Sequence, residues 1–473
     1  MPTRPLKTPK AGSSLSALRA DRGVACLALP ALLALALGAL GCDPTPSAEA
    51  STGVPTPAAS TASPIPVAPT PNADLPEDLR TSLALVDPSG TQPVDQEVRV
   101  AQEWVRRLPK STEKLVLLGR AWIAKARHAN ESGYYAHAKS AAELVLAREP
   151  ESHLARELLA QVAINFHRFE EALALSEEVF TKDDESLIAL AIASDSLYEL
   201  GRDAEAVRLA DKLVDLKPDL ASYTRVAFFQ WLRGDHGMAL RSSKLAIEAG
   251  SDAALPEPKA YALVQTSNFF FHKGDYDGAD EGYKQALKLV TDYPPALVGR
   301  ARVATAKGEP QRAVEFLRVA FKQAAHADTA WRLGDALAAS GDTAGAEAAY
   351  RDVLRVGKDD DKRTVSLFLS TKSRDLPLAL ELARDEMKLR PGLYTKDALA
   401  WALHRNGQHE EAKKLSDEAR ALGTKDAMLL FHAGAIRLAL GDEKGRVFLE
   451  KALALNPEFD PTGAAEARAL LAK

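Results

Sequence analysis

Few side chains in this sequence are spaced to do covalent or metal chemistry. Ten histidines lie scattered along 473 residues, with no HExxH pair and no Cys–His cluster, so no zinc site is encoded by spacing. His404 and His409 stand five apart across a turn, and metal binding is not expected of them. The acid pairs Glu170-Glu171 and Glu177-Glu178 fall within helical stretches and read as solvated faces, not as a general acid and base. Asp359-Asp360-Asp361 reads as a solvated loop. No Walker loop, no GxGxxG after a strand and no GxSxG elbow is present. The expectation is a protein that binds and does not transform, with no catalytic residue, no cofactor and no metal.

Of the two cysteines, only Cys42 has a chemical context. A basic segment from Met1 to Arg22 precedes an uncharged run from Val24 to Leu40. That run falls short of the roughly twenty residues a spanning helix needs, and Pro30 interrupts it. It reads as the apolar core of an export signal. Its end, Ala39-Leu40-Gly41-Cys42, resembles a bacterial lipobox, with Ala39 where the pattern prefers Leu. The resemblance implies cleavage before Cys42 and a lipid on its sulfur, with residues 1–41 and Cys26 discarded. An odd thiol in an oxidising compartment is then explained. Loss of the leader takes the formal charge from −5 to −9, a poor balance for nucleic acid, whose phosphates need a basic stripe. Residues 43–73 hold eight prolines and no basic or aromatic side chain. Such a segment cannot bury enough apolar surface to order itself, and as polyproline II it reaches at most ~95 Å. Residues 42–73 are therefore expected to be a lipidated tether, anchored in the cell envelope. The outer membrane facing the periplasm is favoured over the inner one.

The remaining chain must be built from repeated elements. A small residue recurs at Ala138, Ala172, Ala206, Ala239, Ala279, Ala313, Ala346, Ala379, Ala412 and Gly445, at intervals of 33 or 34 with one of 40. A second marker runs in step: Gly133, His167, Gly201, Gly234, Gly274, Gly308, Gly341, Arg374, Gly407 and Gly441. A helix that must end and reverse within about three residues needs a left-handed residue there, which explains the glycines. Asp235, Asp275, Asp342 and Asp442 follow four of them and can cap the next helix. Each unit is thus two helices, the second crossing a neighbour closely at the small residue.

This period and punctuation resemble the tetratricopeptide repeat family. Leu333-Gly334 with Gly341, Ala346 and Tyr350, and the run Gly274 to Leu287, quote its pattern well. The resemblance implies an all-α, right-handed solenoid of about ten units over residues 115–457. A capping segment at 74–114 and a capping helix at 458–473 would close its ends. The run from Leu393 to Asp442 is also similar to stretches in bacterial repeat proteins of unassigned role. In this family the first helix of each unit lines a concave groove. Carried over position by position, the groove is expected to hold Tyr261, Asn268, Phe271, His272, Arg302, Asp328, Trp331, Asp335, Tyr394, Asp397, Trp401, His404, Arg405 and Phe431, with Arg225, Phe228 and Trp231 close by. Aromatics interleaved with Asn, Asp and Arg are usual anchors of a peptide-binding surface. The resulting expectation is a non-enzymatic envelope scaffold holding a protein or peptide partner, similar in plan to repeat lipoproteins that assist outer-membrane or pilus assembly. A glycan- or peptidoglycan-binding accessory subunit is the alternative.

Overall fold

The computed structural model describes residues 77–250 and 256–473, apart from residues 130 and 132. Cys42 and the tether lie outside the described residues. Twenty-three α-helices and no strand occur among those described. Helices α1 (Glu77–Ala84) and α2 (Pro93–Arg107) come first. Five hairpins follow: α3 (Thr112–Ala129) with α4 (Tyr134–Arg148), α5 (His153–Asn165) with α6 (Phe169–Phe180), α7 (Leu187–Glu199) with α8 (Asp203–Leu216), α9 (Leu220–Leu232) with α10 (His236–Ala249), and α11 (Pro256–His272) with α12 (Tyr276–Leu289). Five more complete the array: α13 (Pro294–Ala306) with α14 (Pro310–Gln323), α15 (Ala327–Ala339) with α16 (Thr343–Gly357), α17 (Lys362–Thr371) with α18 (Leu376–Leu389), α19 (Leu393–Arg405) with α20 (His409–Ala419), and α21 (Ala427–Ala439) with α22 (Lys444–Leu455). Helix α23 (Pro461–Leu471) ends the chain. Ten hairpins of this kind make a tetratricopeptide-like α-solenoid.

The two sequence markers act as the spacing requires. The nine marker alanines are at most 2% exposed, and Gly445 is buried with them. At Gly234 φ is +73°, and Gly201, Gly274, Gly308, Gly341, Gly407 and Gly441 are also left-handed, so each first helix reverses through a residue without a Cβ. His167 takes the same conformation at φ +55°. Two positions depart from the expectation. Gly133 has φ −55° and begins α4 as a right-handed residue. In unit eight the left-handed residues are Ser373 and Asp375, which flank Arg374. The caps follow from the same turns: Asp235, Asp275 and Asp342 accept hydrogen bonds from the backbone N–H three residues on, at 3.0, 2.9 and 2.8 Å.

The solenoid does not present an open groove. Its later units pack against its earlier ones along a seam. In unit three, a Cβ on Gly201 would stand 3.0 Å from the Pro391 carbonyl oxygen, in the connection after unit eight. In unit four, Thr424 Oγ1 donates to the Leu232 carbonyl at 2.6 Å and Lys425 Nζ to that of Gly234 at 2.9 Å. In unit five, Asn456 Nδ2 donates to the Phe271 carbonyl at 2.8 Å, and the Tyr276 hydroxyl donates to Asn456 Oδ1. The turns of units three, four and five thus each meet the connection five units further on. Apolar packing follows the same line: Tyr198, Phe228 and Tyr261 share one core cluster with Leu393 and Leu429 of α19 and α21. Inner-face side chains of the early units are therefore covered by the later ones.

Candidate functional site

Where the inner faces do not meet directly they leave a cavity of about 230 Å³. Phe271 of α11, Arg302 of α13, and Asp328, Trp331, Arg332 and Asp335 of α15 form one part of its wall. Arg363 of α17, Tyr394 and Asp397 of α19, Asp426 and His432 at α21, and residues 458–461 leading into α23 form the rest.

Seven of the fourteen groove residues carried over from the repeat register reach this wall: Phe271, Arg302, Asp328, Trp331, Asp335, Tyr394 and Asp397. The other seven, Tyr261, Asn268, His272, Trp401, His404, Arg405 and Phe431, do not. Tyr261 is 2% exposed in the shared core, its hydroxyl accepting from Gln265 Nε2 at 2.8 Å. Asn268 is buried because the Tyr283 hydroxyl donates to its Oδ1 at 2.7 Å. Trp401 has no exposed surface and stacks on His432 at 4.2 Å between centroids. His404 stacks on Trp401 at 5.0 Å between centroids, and its Nδ1 faces His409 Nδ1 at 3.1 Å. Arg225, Phe228, Trp231 and Phe431 are also buried, so none of these offers groove surface. The seam covers Tyr261 and α23 helps to cover Trp401, faces that an open solenoid would expose, while Asn268 is taken up by Tyr283 inside its own hairpin.

Arg332, Arg363, Asp426, His432, Glu458 and Asp460 were not singled out by the repeat register. Asp426 and Asp460 cap α21 and α23, accepting from Met428 N at 2.8 Å and Gly463 N at 2.7 Å. An acid just before an apolar helical run is a legible cap signal. Its place on a cavity wall depends on closure of the solenoid, which no local pattern encodes.

Most wall charges are paired. Arg332 Nε donates to Asp328 Oδ2 at 2.8 Å. Asp335 receives Lys372 at 2.7 Å and the Tyr350 hydroxyl at 2.6 Å. Asp397 Oδ2 and His432 Nδ1 are 2.7 Å apart. Arg302 differs: its guanidinium lies 4.0 Å over the Phe271 ring and makes no ion pair among the described residues. Burial and then the Arg332 guanidinium push it below the ordinary arginine value, against the partial support of Tyr283, Asp328 and Asp426. Four wall side chains keep a buried polar atom without a partner in the protein: Arg302 Nε, Trp331 Nε1, Asp397 Oδ1 and His432 Nε2. Each such atom costs about 1–3 kcal/mol if left unanswered, and a cluster of them is a feature to be explained. Among the described residues no three His, Cys, Asp or Glu side chains are grouped to hold a metal ion.

Three histidines sit at early-unit turns along the seam. Burial, reinforced by Arg390 and Arg363, pushes His167 down to about 3. Burial, reinforced by Lys425 and Lys273, pushes His236 down to about 4. Burial also pushes His272 down to about 4, opposed by Asp426 and assisted by Arg302 and Arg332. These imidazoles stay neutral in the folded chain but protonate near pH 6.5 when unfolded. Their contribution is thus complete above about pH 6.5 and is lost as the pH falls toward 4. Buried carboxyls such as Glu199 and Asp361, raised by burial, act with the opposite sign. The histidine effect is therefore read as a difference. The melting temperature of His272→Gln should fall less steeply than that of the wild type between pH 6.5 and 4, and parallel curves would refute the assignment.

The family profile described as a tetratricopeptide repeat-like domain matches residues 259–377. No curated protein matches the sequence. Among solved structures, human IFIT1 in a dimer with PPP-AAAA is 16% identical, covering 81% of this chain and 96% of that one at a TM-score of 0.44. The Cut9–Hcn1 hetero-tetramer of the APC/C is 12% identical, covering 82% and 98% at a TM-score of 0.36. PilW, a widely conserved type IV pilus biogenesis factor, is 16% identical, covering 43% and 92% at a TM-score of 0.37. No described helix is long and apolar enough to cross a membrane.

Proposed function

We propose that this chain is a non-enzymatic scaffold of the bacterial cell envelope, held to the outer membrane through a lipid on Cys42 and receiving part of a protein or peptide partner in the axial cavity. The tetratricopeptide-like α-solenoid is consistent with a non-catalytic interaction scaffold. One observation carries the choice of site: Arg302, Trp331, Asp397 and His432 converge on a single cavity with polar atoms unanswered inside the protein. The signal-like leader, Cys42 and the proline-rich segment support the tethered location.

Crosslinking of the full-length chain in intact cells tests both parts. A protein partner captured by the wild type should be lost with Arg302→Ala, while Glu178→Ala, at an exposed side chain, should change nothing. Cys42→Ala should move the folded chain to the soluble envelope fraction or leave it as a precursor. Equal capture by wild type and Arg302→Ala would remove the cavity from the partner site. Unchanged membrane association and mobility of Cys42→Ala would end the lipoprotein reading.

A further inference from the structure

The covering helix α2 carries more apolar surface than the first hairpin can bury. Val98, Ala101 and Val105 pack into the core beneath it. A second stripe, Val100, Trp104 and Leu108 at intervals of four, is 45%, 46% and 46% exposed. Leu117 of α3 stands beside it, and Val100, Trp104 and Leu117 line a shallow groove with Pro93 and Ala121. A cap that closes a solenoid ordinarily turns a polar face outward, and a clustered apolar face marks an interaction surface. Leu216, Val319, Leu389 and Val447, exposed as well, are instead spread over α8, α14, α18 and α22.

Cations gather at one end of this stripe. Arg106, Arg107 and Lys110 are exposed at the end of α2 and in the turn after it. The Arg107 guanidinium and the Lys114 ammonium lie 6.0 and 5.7 Å from the Trp104 ring centroid. Glu103 pairs with Arg107 and Glu113 with Lys114, which leaves Arg106 and Lys110 without an ion pair among the described residues. Glu103 to Leu117 holds four basic and two acidic side chains, a formal charge of +2 in a chain of −5. Glu97, the acid in the groove, lies toward the other end of the stripe.

We propose that this face docks on an anionic lipid surface, with Trp104 and Leu108 at the headgroup boundary and Arg106 and Lys110 on lipid phosphates. Tryptophan partitions to that boundary, and an apolar stripe bordered by Lys and Arg is the chemistry of interfacial binding. Each cation near an anionic leaflet adds to the attraction. Position supports the same occupant: only residues 43–76 separate Cys42 from Glu77, where α1 begins just ahead of α2. The inference rests on the envelope location proposed above, and on neither the axial cavity nor a protein partner.

Quenching of tryptophan fluorescence by brominated lipid tests it, on the full-length chain carrying Cys42→Ala so that no anchor lipid intervenes. Of the five tryptophans only Trp104 is exposed, so it is the reporter. Vesicles of phosphatidylglycerol and phosphatidylcholine in equal parts should quench it at about tenfold lower lipid concentration than phosphatidylcholine alone, and added salt should narrow the gap. Arg106→Glu with Lys110→Glu should abolish that preference. Leu108→Asp should weaken quenching on the anionic vesicles about tenfold, while Leu389→Asp, at an exposed apolar side chain of α18, should change nothing. If a variant fails to fold, the two vesicle compositions on the unsubstituted face still decide. No quenching, or equal quenching by both vesicles, overturns the inference. A dimer that Leu108→Asp dissolves, with Trp104 unquenched on anionic vesicles, overturns it too and gives the face to a second copy. Quenched Trp104 with Cys42 unacylated in cells keeps this inference and removes the anchor. Acylated Cys42 with Trp104 unquenched does the reverse.

Discussion

Replacing Trp401 with alanine should destabilise the fold by about 3–5 kcal/mol, the range for removing a fully buried tryptophan. Its side chain has no exposed surface. It stacks at 15° on His432, lies 5.3 Å from the Phe431 ring, and donates from Nε1 to Thr371 Oγ1 at 3.2 Å. Truncation removes all three contacts and leaves a cavity in a close-packed cluster with Leu449 and Ala464. His432 also loses the ring that stacks on it. Urea unfolding monitored by circular dichroism measures the loss. A loss below about 1 kcal/mol would return Trp401 to an accessible surface, as the repeat register alone expects.

Arg225→Met should cost about as much, for a different reason. Arg225 and Asp195 form a two-pronged pair, Nε to Oδ1 at 3.0 Å and the terminal nitrogen to Oδ2 at 2.9 Å. Both side chains are at most 3% exposed. Burial outweighs the guanidinium and already raises the Asp195 carboxyl above its ordinary range. Removing the arginine strands a buried carboxylate, which typically costs 3–5 kcal/mol, while replacing both partners by apolar residues is often neutral. The double variant Asp195→Leu with Arg225→Met should thus recover most of the stability lost in the single one. In Arg225→Met the carboxyl is raised further, so the deficit should shrink as the pH falls and Asp195 protonates. Equal instability of single and double variants, or a deficit independent of pH, would refute this account.

The hairpins were legible because reversal and close crossing each demand a residue type at a fixed place. Seven left-handed glycines and ten buried small residues fall where the spacing put them. Gly133 shows the limit, since a glycine in the right position need not be left-handed. The site was half legible. First-helix positions in units five to seven and nine reach the cavity, but Asn268 illustrates how a polar residue can leave such a set. It stands 15 residues before Tyr283, whose hydroxyl satisfies it, and Asp335 stands 15 before Tyr350 in the same relation. That recurrent spacing was present in the sequence and marks partners inside one hairpin. Arg225 and Trp401 were unreadable in another way. Arg225 meets Asp195 across the boundary between two neighbouring units, while Tyr261 is buried with Leu393 by contact between parts of the chain far apart, set by the pitch of the solenoid and not by any unit.

Open solenoids tolerate gain or loss of a unit, because each unit sees only its neighbours. The seam removes that freedom. Thr424 finds Leu232, and Asn456 finds Phe271, only because five units separate each early turn from its counterpart. Deleting one hairpin between them would slide every later connection past its partner, like a zip closed one tooth out of step. The number of hairpins in this part of the chain is therefore an integer fixed by closure. An evolutionary duplication or deletion here must be compensated along the whole seam or be lost.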